Sequence, residues 1–273
     1  MTEVATVSLG DAARAATSTL AAAGVDSPRL DAELLLANAL GIARARLVLD
    51  SRAPLPDEAA GRFDRLLARR VGREPVAYIL GRKAFRSIEL AVDPRVLIPR
   101  PETELLVEVA LSLAPGARVA DVGTGSGAVA LALAAERPDL TVVGIDVSED
   151  AVAVARSNGA RLGLDVEWVV GDLLGSDRRY DAVLANLPYV AEGSSLAPEI
   201  ALYEPSGALF AGADGLDVIR RLVEQLEGVS FVALEIGFDQ AAAVTSLLRD
   251  AGFDSVVTES DLARHDRVVI GRR

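Results

Sequence analysis

Three glycines in the segment DVGTGSGA, Asp121–Ala128, mark a place where a ligand could approach the backbone. They fall where a predicted strand turns into a predicted helix, so the amides at the helix N-terminus are not covered by side chains. Gly123, Gly125 and Ala128 satisfy the dinucleotide pattern G-x-G-x-x-G/A. Gly127 also completes G-x-G-x-G, which is commoner around S-adenosylmethionine. The glycines alone leave both ligands open, and a tight turn without a ligand as well.

Acidic residues at the ends of the first two predicted strands favour one of these ligands. Asp121 lies on the strand just before the glycines, where its charge would oppose a pyrophosphate but suit a sulfonium and an ammonium group. Asp146 ends the second strand, the position at which an acidic side chain accepts from two ribose hydroxyls. It could instead cap the following helix, although Ser148 is available for that role. We therefore predict S-adenosylmethionine as the cofactor.

The end of the third predicted strand could hold the adenine of such a cofactor. Asp172 could accept a hydrogen bond from the exocyclic amine, and Leu173 would form an apolar wall. The alternative is a solvated aspartate in a turn.

The stretch NLPY, Asn186–Tyr189, follows the fourth predicted strand and could orient a planar NH2 group. Such a nitrogen has two hydrogens, which the Asn186 side-chain oxygen and a nearby backbone carbonyl could accept. Pro188 restricts Leu187 and so fixes where its carbonyl points. The Tyr189 ring offers a surface for a flat group. No strong base is needed, because the nitrogen becomes acidic as it gains a methyl group. Taken alone, the tetrapeptide is also compatible with a plain turn.

The pattern along the chain predicts elements that would bring these strand ends together. Amphipathic runs after Ser8 and Ser27, and over Asp57–Val71, predict a helical domain at 1–75. A hairpin turning at Gly81 is predicted within a connector at 76–98. Strands and helices then alternate over 99–273, which is typical of an α/β fold with a doubly wound, mostly parallel, Rossmann-like sheet. Ligands bind such sheets at the carboxyl ends of the strands.

The composition excludes several other classes of site. The 273 residues include no cysteine and only one histidine, His265, so we expect no metal and no thiol chemistry. The net charge of −12 disfavours a protein that grips a nucleic-acid backbone. Because the longest apolar run is far shorter than ~18 residues and no signal-peptide pattern is present, we expect a cytoplasmic protein without a membrane segment.

Several longer segments give the chain a resemblance to a known family. They are REPVAYILGRKAF, VLIPRPETELLVE, DVGTGSGAVAL, NLPY, YEPSGALFAGADGL and LEIGFDQ. With them, the chain resembles the release factor glutamine methyltransferases, the PrmC/HemK family, over nearly its whole length. The resemblance implies methyl transfer from S-adenosylmethionine to the side-chain nitrogen (N5) of the glutamine in the Gly-Gly-Gln motif of class 1 peptide chain release factors.

The resemblance also implies a set of site residues. It assigns cofactor binding to Asp121, Val122, Gly123, Thr124, Gly125, Asp146, Asp172, Leu173 and Asn186. Substrate binding falls to Asn186, Leu187, Pro188 and Tyr189, and the catalytic residues among them are Asn186, Pro188 and Tyr189. We expect Pro101 and Thr103 to shape the pocket, Glu204 to brace the substrate loop, and Glu235 to have a structural role. A monomer is expected.

The chain departs from the family pattern at two positions, and two other functions stay open. Leu187 stands where the family usually has proline, which loosens the loop by one fixed dihedral angle. Leu173 stands where some relatives carry an aromatic residue. One alternative is an amino-methyltransferase acting on the exocyclic amine of a nucleic-acid base. Another is a binding protein that keeps the cofactor fold and has lost turnover.

Overall fold

A computed structural model describes residues 7–175 and 179–273 of the chain. The chain forms two compact units. The first comprises the described residues up to Gly81 together with Leu196–Tyr203, and the second comprises Arg82–Ser195 and Glu204–Arg273. The first six residues of the predicted domain 1–75 lie outside the described part of the chain. The functional boundaries predicted at 75 and 98 stay predictions.

The first unit is helical, as predicted. Its helices are α1 (Leu9–Ala22), α2 (Pro28–Leu40), α3 (Arg44–Leu49), α4 (Asp57–Val71) and α5 (Val76–Leu80), and the chain later adds α9 (Pro198–Tyr203). The side chain of Ser8 accepts a hydrogen bond from the amide of Asp11 and caps α1. Gly41 ends α2 in the left-handed conformation, with φ of 68°. Helices α3 and α5 are too short for their pattern to predict them.

A buried cluster of charges holds α9 within this unit. Arg70 donates to Asp31 at 2.7 Å and to Glu199 at 2.9 Å, and Arg73 donates to Glu199 at 2.6 Å. The hydroxyl of Tyr203 donates to the carbonyl of Gly72 at 2.7 Å. Removing one partner from such a cluster would leave a buried charge uncompensated, so the cluster fixes this segment.

The predicted hairpin is present, but its predicted turn at Gly81 is wrong. The hairpin consists of β1 (Arg82–Phe85) and β2 (Ile88–Ala91). Gly81, with φ of 69°, instead ends α5. Arg86 provides the turn with a φ of 47°, which a non-glycine residue rarely adopts. Its guanidinium pairs with Glu136 and Glu108, and these contacts hold the residue in this conformation.

The second unit is the predicted α/β fold. After a 3₁₀ turn at Pro101–Thr103, its main elements are α6 (Glu104–Ala110), β3 (Arg118–Val122), α7 (Ala128–Glu136), β4 (Thr141–Asp146), α8 (Glu149–Leu162), β5 (Glu167–Val170), β6 (Ala182–Ala185), α10 (Asp217–Val223), β7 (Phe231–Glu235), α11 (Ala241–Asp250), β8 (Ser255–Ser260) and β9 (Asp266–Arg272). A second 3₁₀ turn lies at Ser206–Ala208.

The strands of this unit form one seven-stranded sheet, in the order β5-β4-β3-β6-β7-β9-β8. The first five pair in parallel, and β9 is antiparallel to both β7 and β8. From β3 the sheet continues to β4 and β5 on one side and to β6 and β7 on the other, so the strand order reverses between β3 and β6. The carboxyl ends of these two strands therefore flank a crevice, and ligands bind sheets of this kind at such a crevice.

Trp168 of β5 fills the space between the sheet and the helices beside it. Its ring lies against three glycines, Gly127, Gly144 and Gly159. A Cβ atom at Gly144 would come within 2.4 Å of the ring, and one at Gly127 within 2.9 Å. Glycine is therefore needed at these two positions because of the indole.

We expect Gly144→Ala to lower the free energy of unfolding of the second unit by about 1–3 kcal/mol, because the added methyl group overlaps the Trp168 ring. Urea unfolding followed by circular dichroism would measure the change. Gly171→Ala is the matched control, since its Cβ would meet other atoms only at 3.8 Å. Equal stability of the two variants would contradict the packing described here.

Candidate active site

A cavity of about 570 Å³ opens at the carboxyl ends of the parallel strands in the second unit. All of the residues predicted to bind cofactor or substrate except Tyr189 line it. They are Asp121, Val122, Gly123, Thr124, Gly125, Asp146, Asp172, Leu173, Asn186, Leu187 and Pro188. Of the two residues expected to shape the pocket, Thr103 lines it and Pro101 does not. The structure thus brings together residues from the ends of four strands, although their individual roles stay predictions.

Gly123 allows the ends of β3 and β6 to approach each other closely. Its φ is 75°, and a Cβ atom would lie 3.1 Å from the backbone oxygen of Asn186 and 3.2 Å from Leu187 Cδ2. Leu187 is itself buried against this turn. Gly125 differs, because a Cβ there would meet no atom closer than 4.0 Å and its face is open. Gly123 therefore lets the two strand ends come close, Gly125 leaves the backbone open, and Gly127 leaves room for the Trp168 ring.

Asp121 stabilises the glycine turn and the start of α7 with two hydrogen bonds. It is almost completely buried, and its Oδ2 accepts from the Thr124 hydroxyl at 2.6 Å and from the Ala130 amide at 3.0 Å. Burial raises the pKa of Asp121 to about 6, although both hydrogen bonds act to lower it. Its predicted contact with the ammonium group of the cofactor stays a prediction.

Asp146 does not cap the helix that follows it. Ser148 does so, by accepting from the amide of Ala151 at 3.2 Å. The two oxygens of Asp146 accept from the amides of Ser148 and Gly125, each at 2.9 Å. Each oxygen can accept a further hydrogen bond, so the carboxylate is available to a diol. Burial raises the pKa of Asp146.

The two residues predicted to hold the adenine differ in their surroundings. The side chain of Asp172 is 58% exposed and forms an ion pair with Arg221, which also lines the cavity. Leu173 is buried in the core, with an unusual φ of 55°. Asp172 thus offers an exposed hydrogen-bond acceptor, and Leu173 offers a buried apolar surface.

Asn186 is held by a residue far away in the chain. Its Nδ2 donates to the hydroxyl of Thr103 at 3.0 Å, and Thr103 is buried at the end of the first 3₁₀ turn. Within the described part of the chain, no group donates to the Asn186 side-chain oxygen or to the backbone oxygen of Leu187. Two acceptors therefore remain at the end of β6, as the proposed orientation of an NH2 group requires.

The loop after Asn186 is fixed by pairing with the segment 209–212. Val190 donates to the carbonyl of Leu209 at 2.9 Å, and Ala211 donates back to Val190 at 3.0 Å. The side chain of Gln240 donates to the carbonyl of Tyr189 at 3.0 Å. Hydrogen bonds thus fix the loop on both sides of the Tyr189 backbone. They restrict the loop where Leu187 has no proline ring to fix its dihedral angle.

The Tyr189 hydroxyl is directed away from solvent toward Glu235, with 3.4 Å between its oxygen and Glu235 Oε1. Burial, and then the charge of Glu235, raise the pKa of Tyr189 to about 12. Glu235 is 1% exposed, and burial raises its pKa to about 7. Tyr189 is therefore a neutral phenol near pH 7 and does not act as a base there.

Glu204 supports the segment that leads into Thr103. It accepts from the amide of Ile98 at 3.3 Å and from Arg100 at 2.6 Å. The sequence suggested that it braces the substrate loop; the hydrogen bonds of its side chain instead go to Ile98 and Arg100, in the segment that precedes the first 3₁₀ turn.

Two further residues were missed by sequence reasoning. Asn158 of α8 is fully buried and donates to the carbonyls of Ala91 and Ser126, both at 3.0 Å, so it joins the hairpin to the glycine turn. Gln240 lies in the quoted segment LEIGFDQ, but only the fold shows that it reaches Tyr189. The one sequence signal for Asn158 is a polar residue on the apolar face of its helix.

Two family models match the chain. The PrmC N-terminal domain matches residues 11–81, and the methyltransferase small domain matches residues 101–202.

Proteins called release factor glutamine methyltransferase match nearly the full length of the chain. That of Caulobacter vibrioides is 42% identical and covers 97% of this chain and 96% of its own. That of Pseudomonas aeruginosa is 47% identical, covering 90% and 94%. That of Mycolicibacterium smegmatis is 40% identical, covering 97% and 98%.

Solved structures share the fold at low sequence identity. A methyltransferase from Pyrococcus furiosus has a TM-score of 0.52 at 17% identity, covering 78% of this chain and 98% of its own. The hMettl16 catalytic domain, in complex with a 3′UTR hairpin, has a TM-score of 0.58 at 17% identity, covering 76% and 81%.

Over residues 7–175 and 179–273, no helix has both the length and the apolar character needed to cross a membrane.

We expect Glu235→Gln to stabilise the protein more at pH 8 than at pH 5. The pKa of Glu235 is about 7 in the folded protein, against 4.5 for an ordinary glutamate, so the folded chain keeps a proton that the unfolded chain releases. The free energy of unfolding of the wild type therefore falls as the pH rises through this range, and glutamine removes that fall. The advantage of the variant should grow by on the order of 2 kcal/mol between the two pH values.

Urea unfolding at both pH values measures this difference. Glu224→Gln, a change at an exposed position, is the control. If the stability difference between Glu235→Gln and the wild type is the same at both pH values, the expected burial of this carboxyl is contradicted.

Proposed function

The chain belongs to the family of release factor glutamine methyltransferases, and we propose that it transfers a methyl group from S-adenosylmethionine to the glutamine side-chain nitrogen of a release factor. The resemblance predicted from the quoted segments is confirmed, as are the methyltransferase fold and the cofactor class. The observation that carries the proposal is the pair of acceptors on Asn186 and Leu187 to which none of the described residues donates, at the strand end that touches the glycine turn.

The residues at the glycine turn fit S-adenosylmethionine. The open face of Gly125 leaves room for it, Asp146 has acceptor capacity for two ribose hydroxyls, and Leu173 provides an apolar wall. When bound, the cofactor supplies a methyl group on a cationic sulfur. The buried carboxyl of Asp121 lies in the same cavity and favours positive charge there.

The NLPY stretch orients the substrate amide. Its nitrogen is a weak nucleophile, because its lone pair is shared with the carbonyl group. Asn186 and the carbonyl of Leu187 accept its two hydrogens, which turns the nitrogen toward the methyl group and favours the geometry of attack. The substrate nitrogen would gain the methyl group that the bound cofactor supplies, and it would then lose one of its protons. Water can take that proton, so the neutral Tyr189 serves as a surface for the amide.

The remaining parts of the proposal concern the partner and the setting. The helical domain at 1–75 would dock the release factor, with the hairpin region 76–98 as the connector to the methyltransferase domain at 99–273. The substrates would be class 1 release factors, and the enzyme would act as a monomer in the cytoplasm. The net charge of −12 supports a protein substrate over a nucleic-acid base.

We expect Asn186→Ala to lower methyl transfer to a purified release factor by about 100-fold or more, because the amide then loses one of the two acceptors that orient it. The measurement is transfer of labelled methyl groups from S-adenosylmethionine.

Two altered release factors serve as controls for this experiment. In one, the glutamine of the Gly-Gly-Gln motif is replaced by alanine, and in the other by asparagine, which keeps the NH2 group but shortens its reach. Label on the alanine protein would show that methylation occurs elsewhere, whereas weak label on the asparagine protein alone would show that the reach of the NH2 group matters. If the wild-type enzyme binds the cofactor and labels no release factor, the proposed substrate is wrong.

We expect Asp146→Asn to weaken cofactor binding by about 10-fold, since one charged acceptor for the ribose becomes neutral and partly a donor. Calorimetric titration with S-adenosylmethionine measures the loss. Glu149→Gln, an exposed change three residues further along the chain, is the control. If both variants bind with the wild-type affinity, the assignment of Asp146 to the ribose is wrong.

A further inference from the structure

The buried side chain of Gln240 connects three segments of the second unit, one of which carries the NLPY stretch. Gln240 directly precedes α11 and is 8% exposed. Its Nε2 donates to the carbonyl of Tyr189 at 3.0 Å and to the carbonyl of Asp214 at 3.3 Å. Its Oε1 accepts from the amide of Gly237 at 2.9 Å. Both polar atoms of this buried side chain therefore have backbone partners.

These partners fix the direction in which the Gln240 amide points. A backbone amide can only donate, so the amide of Gly237 must face the side-chain oxygen. Backbone carbonyls can only accept, so those of Tyr189 and Asp214 must face the side-chain nitrogen. A reversed amide would lose all three hydrogen bonds. The NH2 group of Gln240 is therefore directed at the NLPY stretch.

A glycine leaves room for this contact. Gly215 has a φ of 74°, and a Cβ atom there would lie 2.2 Å from the backbone oxygen of Tyr189 and 2.9 Å from Gln240 Nε2. A side chain at residue 215 would therefore push the carbonyl and the NH2 group apart. The glycine and the glutamine are separate observations that concern the same carbonyl.

The Tyr189 carbonyl belongs to a peptide group that is held on both sides. The N–H of the same peptide group, on Val190, donates to the carbonyl of Leu209 at 2.9 Å. Gln240 holds the opposite side through the carbonyl oxygen. Because a peptide group is planar and moves as one body, the two hydrogen bonds together fix its orientation.

We propose that Gln240 is a positioning residue that acts through the Tyr189 carbonyl to hold the NLPY stretch in the geometry that orients the substrate amide. Pro188 lies between Tyr189 and the Leu187 carbonyl, and its ring fixes one of the dihedral angles between them. A fixed Tyr189 therefore limits how far the Leu187 carbonyl can turn. The proposal rests on the proposed function, because it concerns how the same site holds its NH2 group.

Two substitutions of Gln240 test the role of its NH2 group. Gln240→Glu keeps an oxygen for the Gly237 amide but replaces the donor by a second acceptor, whereas Gln240→Met keeps the length and removes all three hydrogen bonds. Both should lower kcat for methylation of a release factor by about 10-fold at pH 8. Gln240 is not among the residues that line the cavity. The Kd for S-adenosylmethionine and the KM for the release factor should therefore change by less than about 2-fold.

Ala242→Glu is the matched control for Gln240→Glu. It adds the same charge at an exposed position two residues further along the chain, and it should keep the wild-type kcat. A wild-type kcat in Gln240→Glu would show that the NH2 group has no positioning role and would overturn the proposal. A loss confined to cofactor affinity, with kcat unchanged, would overturn it as well.

Gly215→Ala tests the same contact from the other side. The added methyl group should displace the Tyr189 carbonyl from Gln240, so kcat should fall by about 10-fold with cofactor affinity maintained. Gly228→Ala is the control for backbone strain, because Gly228 has a similar φ of 81° and a Cβ atom there would meet no atom within 4 Å. Equal kcat values for the two alanine variants would contradict the proposed role of the contact.

Combining the two changes tests whether they act on one hydrogen bond. Gly215→Ala together with Gln240→Glu should be slower than the slower single variant by less than about 3-fold, because both changes break the same contact. Fully multiplicative losses would mean that Gln240 acts through some other contact, contrary to the proposal.

A measurement without turnover separates this proposal from the proposed function. The amide of Val190 belongs to the peptide group that Gln240 holds, so its hydrogen exchange, followed by NMR at constant pH, should be faster in Gln240→Glu and Gln240→Met by about 10-fold. The amide of Leu184, within β6, is the reference for global unfolding.

The exchange data have two decisive outcomes. Exchange that rises no more at Val190 than at Leu184 would overturn the role of Gln240, even if release factors are methylated. A selective rise at Val190, in a protein whose wild type methylates no release factor, would support the role of Gln240 in holding the loop while the proposed substrate fails.

Discussion

The close contact between the ends of β3 and β6 is the constraint on which the site depends. A Cβ atom on residue 123 would lie only 3.1 Å from the backbone oxygen of Asn186 and 3.2 Å from the side chain of Leu187. Glycine, at a φ of 75°, allows the two strand ends to meet there without strain. This contact places the residues proposed to orient the substrate next to those proposed to hold the cofactor. In the proposed reaction, the distance for methyl transfer would thus be set by backbone packing, which changes little with side-chain motion.

Much of the chemistry in this unit is orientation rather than proton transfer. Burial is the largest cause of the strongly raised pKa values of Asp121, Tyr189 and Glu235, and each of these groups lies within hydrogen-bonding distance of a neighbouring side chain. A reaction whose nucleophile becomes acidic during transfer does not need a base of matched pKa. What it needs is a fixed direction for the reacting nitrogen, and buried hydrogen bonds supply that more reliably than exposed ones.

The sequence predicts the fold class and the main site residues because both depend on local patterns. Alternating strands and helices, together with polar residues at strand ends, are enough to place Asp146 and Asn186 at one edge of a sheet. The partners of these residues are not local. Thr103 lies 83 residues from Asn186, and Glu235 lies 46 residues from Tyr189. The turn predicted at Gly81 was wrong for a related reason. A glycine in the sequence indicates a left-handed residue, but it does not indicate whether that residue ends a helix or turns a hairpin.

The position of α9 limits how this protein can be divided. The chain leaves the second unit after Ser195, forms a helix that belongs to the first unit, and returns at Glu204. A chain cut to begin at Arg82 would therefore keep Glu199 but lose Arg70 and Arg73, its partners in the buried charge cluster. The two units are consequently not interchangeable modules. In recombination between relatives, residues 196–203 would have to be inherited together with the N-terminal helices, although more than a hundred residues of sequence separate them.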